Sequence, residues 1–208
     1  MARLPYRKSV FLNCPFDDEY SELFDALVFT IHDCGFSARC ALELDDSAQV
    51  RLEKLVSLIR ECRLGIHDLS RTEPDPVSLL PRFNMPLELG IFFGARLFGD
   101  RGQREKICLV LDRERYRYQV FCSDIAGQDI RAHSNDVPTL ITVVRNWLRN
   151  SIQRSGVRIP SGSRIADRYA HFLLALPTFC SKLNLEMDEL VFNDYTTLVV
   201  GWLRENRW

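Results

Sequence analysis

The sequence predicts an α/β fold, in which a parallel sheet carries helices on both faces and is followed by a C-terminal helical hairpin. Short apolar runs alternate along the chain with segments whose apolar residues recur every three or four positions, as on a buried helix face. One run, "KICLVLD" at 106–112, is continuously apolar, which is typical of a strand covered on both sides. Strands and helices alternating in this way form parallel sheets through right-handed crossovers.

The first half of the chain contains three predicted strands, and a helix follows each of them. The predicted strands lie at 8–13, 36–42 and 63–70. The first helix starts at Ser21 and is ended by Gly35, which suits a left-handed C-terminal position. The second starts at an acid-x-x-amide pair, Asp46 and Gln49, and runs to about Cys62. After a proline-rich loop at 71–82, the third helix occupies 83–100 with Pro86 in its first turn.

The second half has a clear strand and helix separated by a weaker pattern. Between 113 and 137 the periodicity fades, and a further strand is predicted near 129–133. Helical spacing returns at 138–152, and helices near 165–182 and 186–205 end the chain. The chain of 208 residues, 46% of them hydrophobic, therefore divides into an α/β domain at 1–153, a linker at 154–164 and a hairpin at 165–208. The hairpin is expected to cover the sheet domain or a second subunit.

Composition disfavours several function classes. A net charge of -1 argues against nucleic acid as a partner, because phosphate binding needs a basic surface. No apolar run reaches the roughly 18 residues that span a bilayer, so neither a membrane anchor nor a signal peptide is expected. Seven cysteines without a CxxC pair indicate core thiols in a reducing cytoplasm, with no zinc site and no disulfide framework.

One acid, Glu88, stands in the apolar helix segment "FNMPLELGIFFGARLFGD" at 83–100. It shares a helical stripe with Ile91, Phe92 and Ala95, so the spacing puts a carboxylate on an otherwise apolar face. Ligands of open parallel sheets bind beyond the carboxyl ends of the strands, where the loop before this helix leads. Alternatively, Glu88 sits near the third helical position and accepts hydrogen bonds from the free N–H groups of the helix start.

Two glycines of the same segment call for an explanation. Gly90 and Gly94 lie one turn apart, and each weakens an isolated helix by about 1 kcal/mol relative to alanine. Close packing against the sheet is the favoured explanation, and close approach of a ligand is the other.

Other candidate ligand contacts also follow strand ends or precede the third helix. Asp68 ends the third strand, where a carboxylate suits ribose hydroxyls or instead caps the following turn. Arg39 and Arg82 suit phosphates, since guanidinium makes planar bidentate contacts, but either also suits a structural ion pair. His67 is interpreted as a core residue.

Three segments together resemble a known pair of families. "VFLNCPFDDEY", "GIHDLSRTE" and "FNMPLELGIFFGARLFG" resemble the nucleoside 2-deoxyribosyltransferase-like and TIR-like families, whose sheets are flavodoxin-like, over roughly residues 8–150. The most specific part is a strand ending in Asp-x-Ser, followed by a loop and then Asn-x-x-x-Glu-Leu-Gly. The resemblance implies that Glu88 is the catalytic acid, acting at the anomeric carbon of an N-glycoside. It further implies that Asp68 contacts a ribose or a base, that Asn84 contacts the substrate, and that Asn13 with Phe16 forms a wall of the site from the first loop. Together with Arg39, Arg82 and Ser70, these residues are the predicted substrate contacts.

The resemblance implies an N-glycosidic bond hydrolase that acts on NAD or a related nucleotide. It needs no cofactor or metal beyond that substrate, forms a homo-oligomer and fits a bacterial defence effector. No further acid and tyrosine constellation of a deoxyribosyltransferase is visible, so hydrolysis is favoured over base exchange. A nucleoside 2-deoxyribosyltransferase and a non-catalytic nucleotide-binding or TIR-like interaction module remain the alternatives.

Overall fold

A computed structural model describes residues 5–74, 79–152 and 158–207, and these ranges form a parallel sheet with helices on both faces. The sheet contains five strands in the order β2-β1-β3-β4-β5. The strands are β1 Ser9–Asn13, β2 Ser37–Arg39, β3 Leu64–Asp68, β4 Ile107–Asp112 and β5 Arg131–Ala132. The strand order is that of a flavodoxin-like sheet, so the predicted fold class is confirmed.

Helices connect these strands and continue beyond the sheet. They are α1 Ser21–Asp33, α2 Arg51–Glu61, α3 Asn84–Phe98, α4 Arg101–Arg104, α5 Val137–Ser151, α6 Gly162–Leu183 and α7 Phe192–Glu205. The predicted end of α1 is confirmed, because Gly35 has a φ of 82° and the N–H of Phe36 reaches back to the carbonyl of Ile31. No described helix is both long enough and apolar enough to cross a membrane.

The two faces of the sheet are buried by different helices. Alternate strand residues such as Val10 and Leu12 point to one face, where α1 and α5 cover them. Phe11 points to the other face and packs against α2 and Phe92 of α3. The C-terminal helices α6 and α7 lie outside α1 and α5 and extend the same hydrophobic core. The hairpin therefore covers the helical layer of the sheet domain.

Several predicted boundaries are wrong. Helix α2 begins only at Arg51, after Val50, and the carboxylate of Asp46 accepts the N–H of Ala48 instead of capping the helix. Strand β2 contains three residues of the seven predicted. The linker prediction at 154–164 also fails at its end, because Ser161 caps α6 through the N–H of Arg164 and the helix begins at Gly162. The rest of that prediction includes 153–157, which lie outside the described residues, as do 75–78 of the predicted loop.

The expected packing role of the α3 glycines is also wrong. A Cβ placed on Gly90 or on Gly94 would have no described atom of another element within 4 Å. Both glycines lie on the outer face of α3, where Leu87, Leu97 and Phe98 are exposed as well. Packing within the described chain therefore gives no reason for glycine at either position.

Candidate active site

The candidate site lies where β1 and β3 end side by side, at the point where the strand order reverses. Asn13, the last residue of β1, holds the start of α3 there, because its Nδ2 donates to the carbonyl of Met85 at 2.8 Å. The same nitrogen lies 3.0 Å from Nδ1 of His67 on β3. Asn13 is buried and its amide donors are both used, so the structure places it as the anchor of α3 against the sheet.

Glu88 is buried without a partner. The helix begins at Asn84 after Phe83, so Glu88 is its fifth residue and lies past the free N–H groups of the helix start. The alternative that it caps the helix is therefore excluded. Its exposed fraction is 8%, its carboxylate oxygens keep slight contact with solvent, and no described residue forms a hydrogen bond or an ion pair with them. Helical side chains lean toward the N-terminus, which directs Glu88 back toward the turn that Asn13 holds.

Burial raises the pKa of the Glu88 carboxyl to about 7, and the charge of Arg51 at the start of α2 opposes this only in part. A carboxyl with this pKa is close to half ionised at neutral pH. It can therefore take part in a reaction either as a proton donor or as a negatively charged group.

The carboxylates of Glu88 and Asp68 both lie near the thiol of Cys14. Burial is the main cause that raises the pKa of the Cys14 thiol, and the charges of Cys40, Asp68 and Glu88 add to it. The first residue after β1 therefore lies within electrostatic reach of both carboxylates, and it is a protonated thiol at neutral pH.

Asp68 is buried too, but it is fully engaged. Tyr20 donates its hydroxyl to Oδ2 at 2.6 Å, the N–H of Ser70 donates to Oδ1 at 2.8 Å, and Nε2 of His133 lies 3.0 Å from Oδ2. Burial raises the pKa of Asp68, but the bonds from His133, Ser70 and Tyr20 outweigh it, and the net pKa is lowered. Asp68 thus caps the turn after β3, as one of the two interpretations predicts, and no atom of it faces solvent.

Ser70 is bonded through its backbone but not through its side chain. Its N–H is used by Asp68, while its buried hydroxyl oxygen has no hydrogen-bond partner among the described residues. A buried hydroxyl in this state is available to a ligand or a water molecule.

The remaining predicted contacts are spread around the mouth of the sheet. Arg39 is not available to a phosphate, because its guanidinium binds Glu43 and Glu61 in a structural ion pair. Arg82 is 60% exposed, and its nitrogen lies 3.7 Å from the carboxylate of Asp17 in the β1–α1 loop. Exposed positions are also occupied by Asn84 on the first turn of α3 and by Phe16, whose ring meets the edge of Phe24.

The sequence reasoning missed the groups that surround Asp68. It found no acid and tyrosine pair, yet Tyr20 bonds Asp68 directly, so that ground for preferring hydrolysis over base exchange does not hold. His133 was missed because the short strand β5 before it has almost no apolar pattern. Asp112 could have been predicted from its position at the end of β4. Its Oδ1 accepts a hydrogen bond from Nε of Arg117 at 2.8 Å.

His67 is a core residue, as predicted. Burial lowers its pKa to about 3, so it is neutral, and because Asn13 donates to Nδ1 the proton resides on Nε2. That nitrogen has no hydrogen-bond partner among the described residues and lies beside Phe92 and Gly65.

Four cavities of about 270 to 500 Å³ are lined by described residues, and Glu88 lines none of them. In the described ranges, no three side chains of the ligating types lie together as a metal site.

Comparison of the chain with protein-family models, curated proteins and solved structures yields no match.

Proposed function

We propose that the protein hydrolyses the N-glycosidic bond of NAD or a related nucleotide, with Glu88 as its catalytic carboxylate. One observation carries the proposal: Glu88 is a buried acid at the carboxyl edge of the sheet, and no described residue pairs with it. A buried unpaired carboxylate costs stability, and such groups concentrate at functional sites.

The chemistry uses the ionised form of Glu88. As the bond between C1′ and the nicotinamide nitrogen breaks, its electron pair leaves with the nitrogen and positive charge builds on the ribose. The carboxylate stabilises that charge most strongly where water is excluded. Water then adds to C1′ and releases a proton. The leaving nitrogen is already cationic in NAD, so no group has to protonate it.

The mouth of the sheet offers groups for the rest of a nucleotide. Arg82 is exposed beside Asp17 and supplies a guanidinium for a phosphate. Asn84 and the unpartnered hydroxyl of Ser70 supply polar contacts for a sugar or a base. Because Glu88 is only 8% exposed, we expect the groups around it to move outward when substrate enters.

The direct test incubates purified protein with NAD and follows nicotinamide release by chromatography. We expect Glu88→Gln to lower the rate at least about 100-fold, the usual cost of losing a transition-state charge contact. Glu105→Gln is the matched control, since Glu105 is exposed and paired with Arg7 far from the site. Equal rates in both variants would overturn the proposal.

The pH dependence tests the same residue. Because the pKa of Glu88 is about 7 and the ionised form reacts, kcat/KM should rise about tenfold between pH 6 and pH 8. A rate that falls across this interval would contradict the assigned role.

The same assay separates the alternatives. A deoxyribosyltransferase would move the sugar to an added acceptor base. A non-catalytic nucleotide-binding or interaction module would be stabilised thermally by the nucleotide without turnover, and its assembly would survive Glu88→Gln.

The proposal extends to assembly as a homo-oligomer. The outer face of α3 carries Phe83, Leu87, Leu97 and Phe98, with Phe98 85% exposed, in line with the two glycines. Exposed apolar stripes of this kind mark contact surfaces, and two copies of one helix form a self-complementary pair. Light scattering should show a dimer or larger species, and Phe98→Glu should dissociate it.

We place the protein in a reducing cytoplasm as a defence effector that depletes NAD. All seven cysteines are free thiols, which supports that location. Mass spectrometry of nucleotides should then show NAD falling in cells that express the protein, and not in cells that express Glu88→Gln.

A further inference from the structure

A separate cavity of about 270 Å³ lies between α1 and the C-terminal hairpin, away from Glu88. It is an open groove whose lining residues are mostly apolar, although polar and apolar atoms contribute similar areas to its surface. They are formed by Phe24, Leu42, Leu176, Met187, Leu190, Val191, Phe192 and Tyr195, together with Asp25. The volume equals that of about nine water molecules in the liquid, so it suits a ligand of roughly that number of heavy atoms.

Asp25 is the one acidic or basic side chain among the residues that line this cavity. No described residue forms a hydrogen bond or an ion pair with its carboxylate. The hydroxyl of Tyr195 donates to the backbone carbonyl of Asp25 at 3.3 Å and leaves the side chain unpaired. Burial raises the pKa of the Asp25 carboxyl to about 7. A carboxylate in such a setting is stabilised by a cation that brings its own apolar body.

The titratable groups that face Asp25 are phenols. Tyr169 of α6 and Tyr195 of α7 interact with each other, and the Asp25 charge helps to raise the pKa of both, after burial. On α1 itself, Glu22 acts on Tyr169 from one turn away. None of these groups supplies a positive charge at neutral pH, so the complementary charge has to come from a ligand.

We infer that this cavity binds a small aromatic or aliphatic monocation, such as a primary amine, with its ammonium group on Asp25 and its apolar part among Phe24, Leu176 and Phe192. The inference does not depend on the proposed hydrolase activity, since Glu88 takes no part in it.

Two probes of equal size isolate the charge. Phenethylamine is cationic, and 2-phenylethanol is its neutral counterpart with the same number of heavy atoms. We expect phenethylamine to bind the wild-type chain at pH 8 with a Kd of about 1 mM or tighter, measured by calorimetry. The alcohol should bind at least tenfold more weakly.

Asp25→Asn should weaken phenethylamine binding at least tenfold and leave 2-phenylethanol binding unchanged. Glu22→Gln is the matched control, because Glu22 is an exposed acid on the same helix, and it should bind both probes as the wild type does. Met187→Trp, at a half-exposed wall position, should fill the cavity and block both probes while the fold persists by circular dichroism.

Acidification provides a further check. With a pKa near 7 for Asp25, the ionised fraction falls about tenfold from pH 8 to pH 6. Phenethylamine should therefore bind more weakly at pH 6 by up to that factor, and Asp25→Asn should lose this dependence. Equal affinity of phenethylamine for the wild type and Asp25→Asn would overturn the inference. So would the absence of binding at 10 mM, or binding that persists in Met187→Trp.

Discussion

Two buried carboxylates at the mouth of the sheet are held in opposite ways. Asp68 ends β3 and receives a hydroxyl, a backbone N–H and an imidazole nitrogen, so its pKa is lowered although it is completely buried. Glu88 on α3 has no such partner, and burial raises its pKa to about 7. Burial alone therefore does not decide the ionisation of an acid here, because the donors around it do.

The difference assigns the two acids to different tasks. Asp68 stabilises the junction of β3, the β1–α1 loop and the segment after β5. Its charge is already satisfied by groups of the protein. Glu88 has no hydrogen-bond or ion-pair partner in the described chain, and the charge of Arg51 offsets its burial only in part, so its carboxylate is available to a ligand. Substitutions at Asp68, at its donor Tyr20 and at Glu88 test the two sides of this contrast.

The largest expected effect is on stability, at Asp68. Asp68→Asn removes the charge that accepts hydrogen bonds from Tyr20 and from the N–H of Ser70, and each hydrogen bond to a charged group contributes about 1.5 to 3 kcal/mol, so that the two together contribute about 3 to 6 kcal/mol. Urea denaturation should show the free energy of unfolding falling by that amount. Asp46→Asn, at an exposed position, should change it by less than about 0.5 kcal/mol. A loss at Asp68 no larger than at Asp46 would erase the contrast.

Removal of one donor should cost less. Tyr20→Phe removes one of the two hydrogen bonds that the Asp68 carboxylate accepts, and a hydrogen bond to a charged group contributes about 1.5 to 3 kcal/mol. Without this donor, the pKa of Asp68 in the folded state should rise. When the protein is acidified, the stability that ionised Asp68 contributes should then be lost at a higher pH than in the wild type. Denaturant midpoints of Tyr20→Phe and the wild type between pH 2 and pH 6 measure this, and coincident profiles would contradict it.

Glu88 should behave in the opposite sense. Its folded pKa lies above its unfolded value, so the folded state favours the protonated acid and loses stability as pH rises from about 4.5 to 7. Glu88→Gln removes that loss and should raise the free energy of unfolding by about 1 kcal/mol at pH 8, after allowance for partial exposure, and by nothing measurable at pH 4. A Glu88→Gln protein that is less stable than the wild type at pH 8 would mean that the carboxylate has a stabilising partner.

The smallest effect concerns the same helix. Gly90→Ala should stabilise the free chain by about 0.5 to 1 kcal/mol, because the added methyl meets nothing and the helix gains propensity. Gly35→Ala is the control of opposite sign, since its φ of 82° strains any other residue. Thermal unfolding of dilute protein measures both, and a destabilising Gly90→Ala would reveal a contact at that face.

The sequence predicts the elements better than it predicts the contacts of the site. Apolar periodicity locates β1, α1, β3, β4 and α5 because those segments bury whole faces. It misplaces the start of α2, where no side chain caps the helix, and the start of α6, where Ser161 and Gly162 resemble a linker.

The candidate site depends on pairings that local patterns do not contain. Glu43, the partner of Arg39, lies four residues away, but the predicted strand at 36–42 would hold the two apart, and only the turn at Ala41–Glu43 brings them together. The partners of Asp68 could not be predicted either, because Tyr20 and His133 come from loops far along the chain in both directions. The burial of Glu88 was visible in its helical stripe, whereas the absence of a partner becomes visible only in three dimensions.

The most direct test of the unpaired state of Glu88 is a carbon-13 NMR titration of the glutamate side-chain carboxyls, with Glu88→Gln used to assign the signal. We predict a midpoint near pH 7 for the Glu88 carboxyl, separate from the exposed glutamates. A midpoint at or below about 4.5 would show that the carboxylate is solvated or paired, and would contradict the role assigned to it.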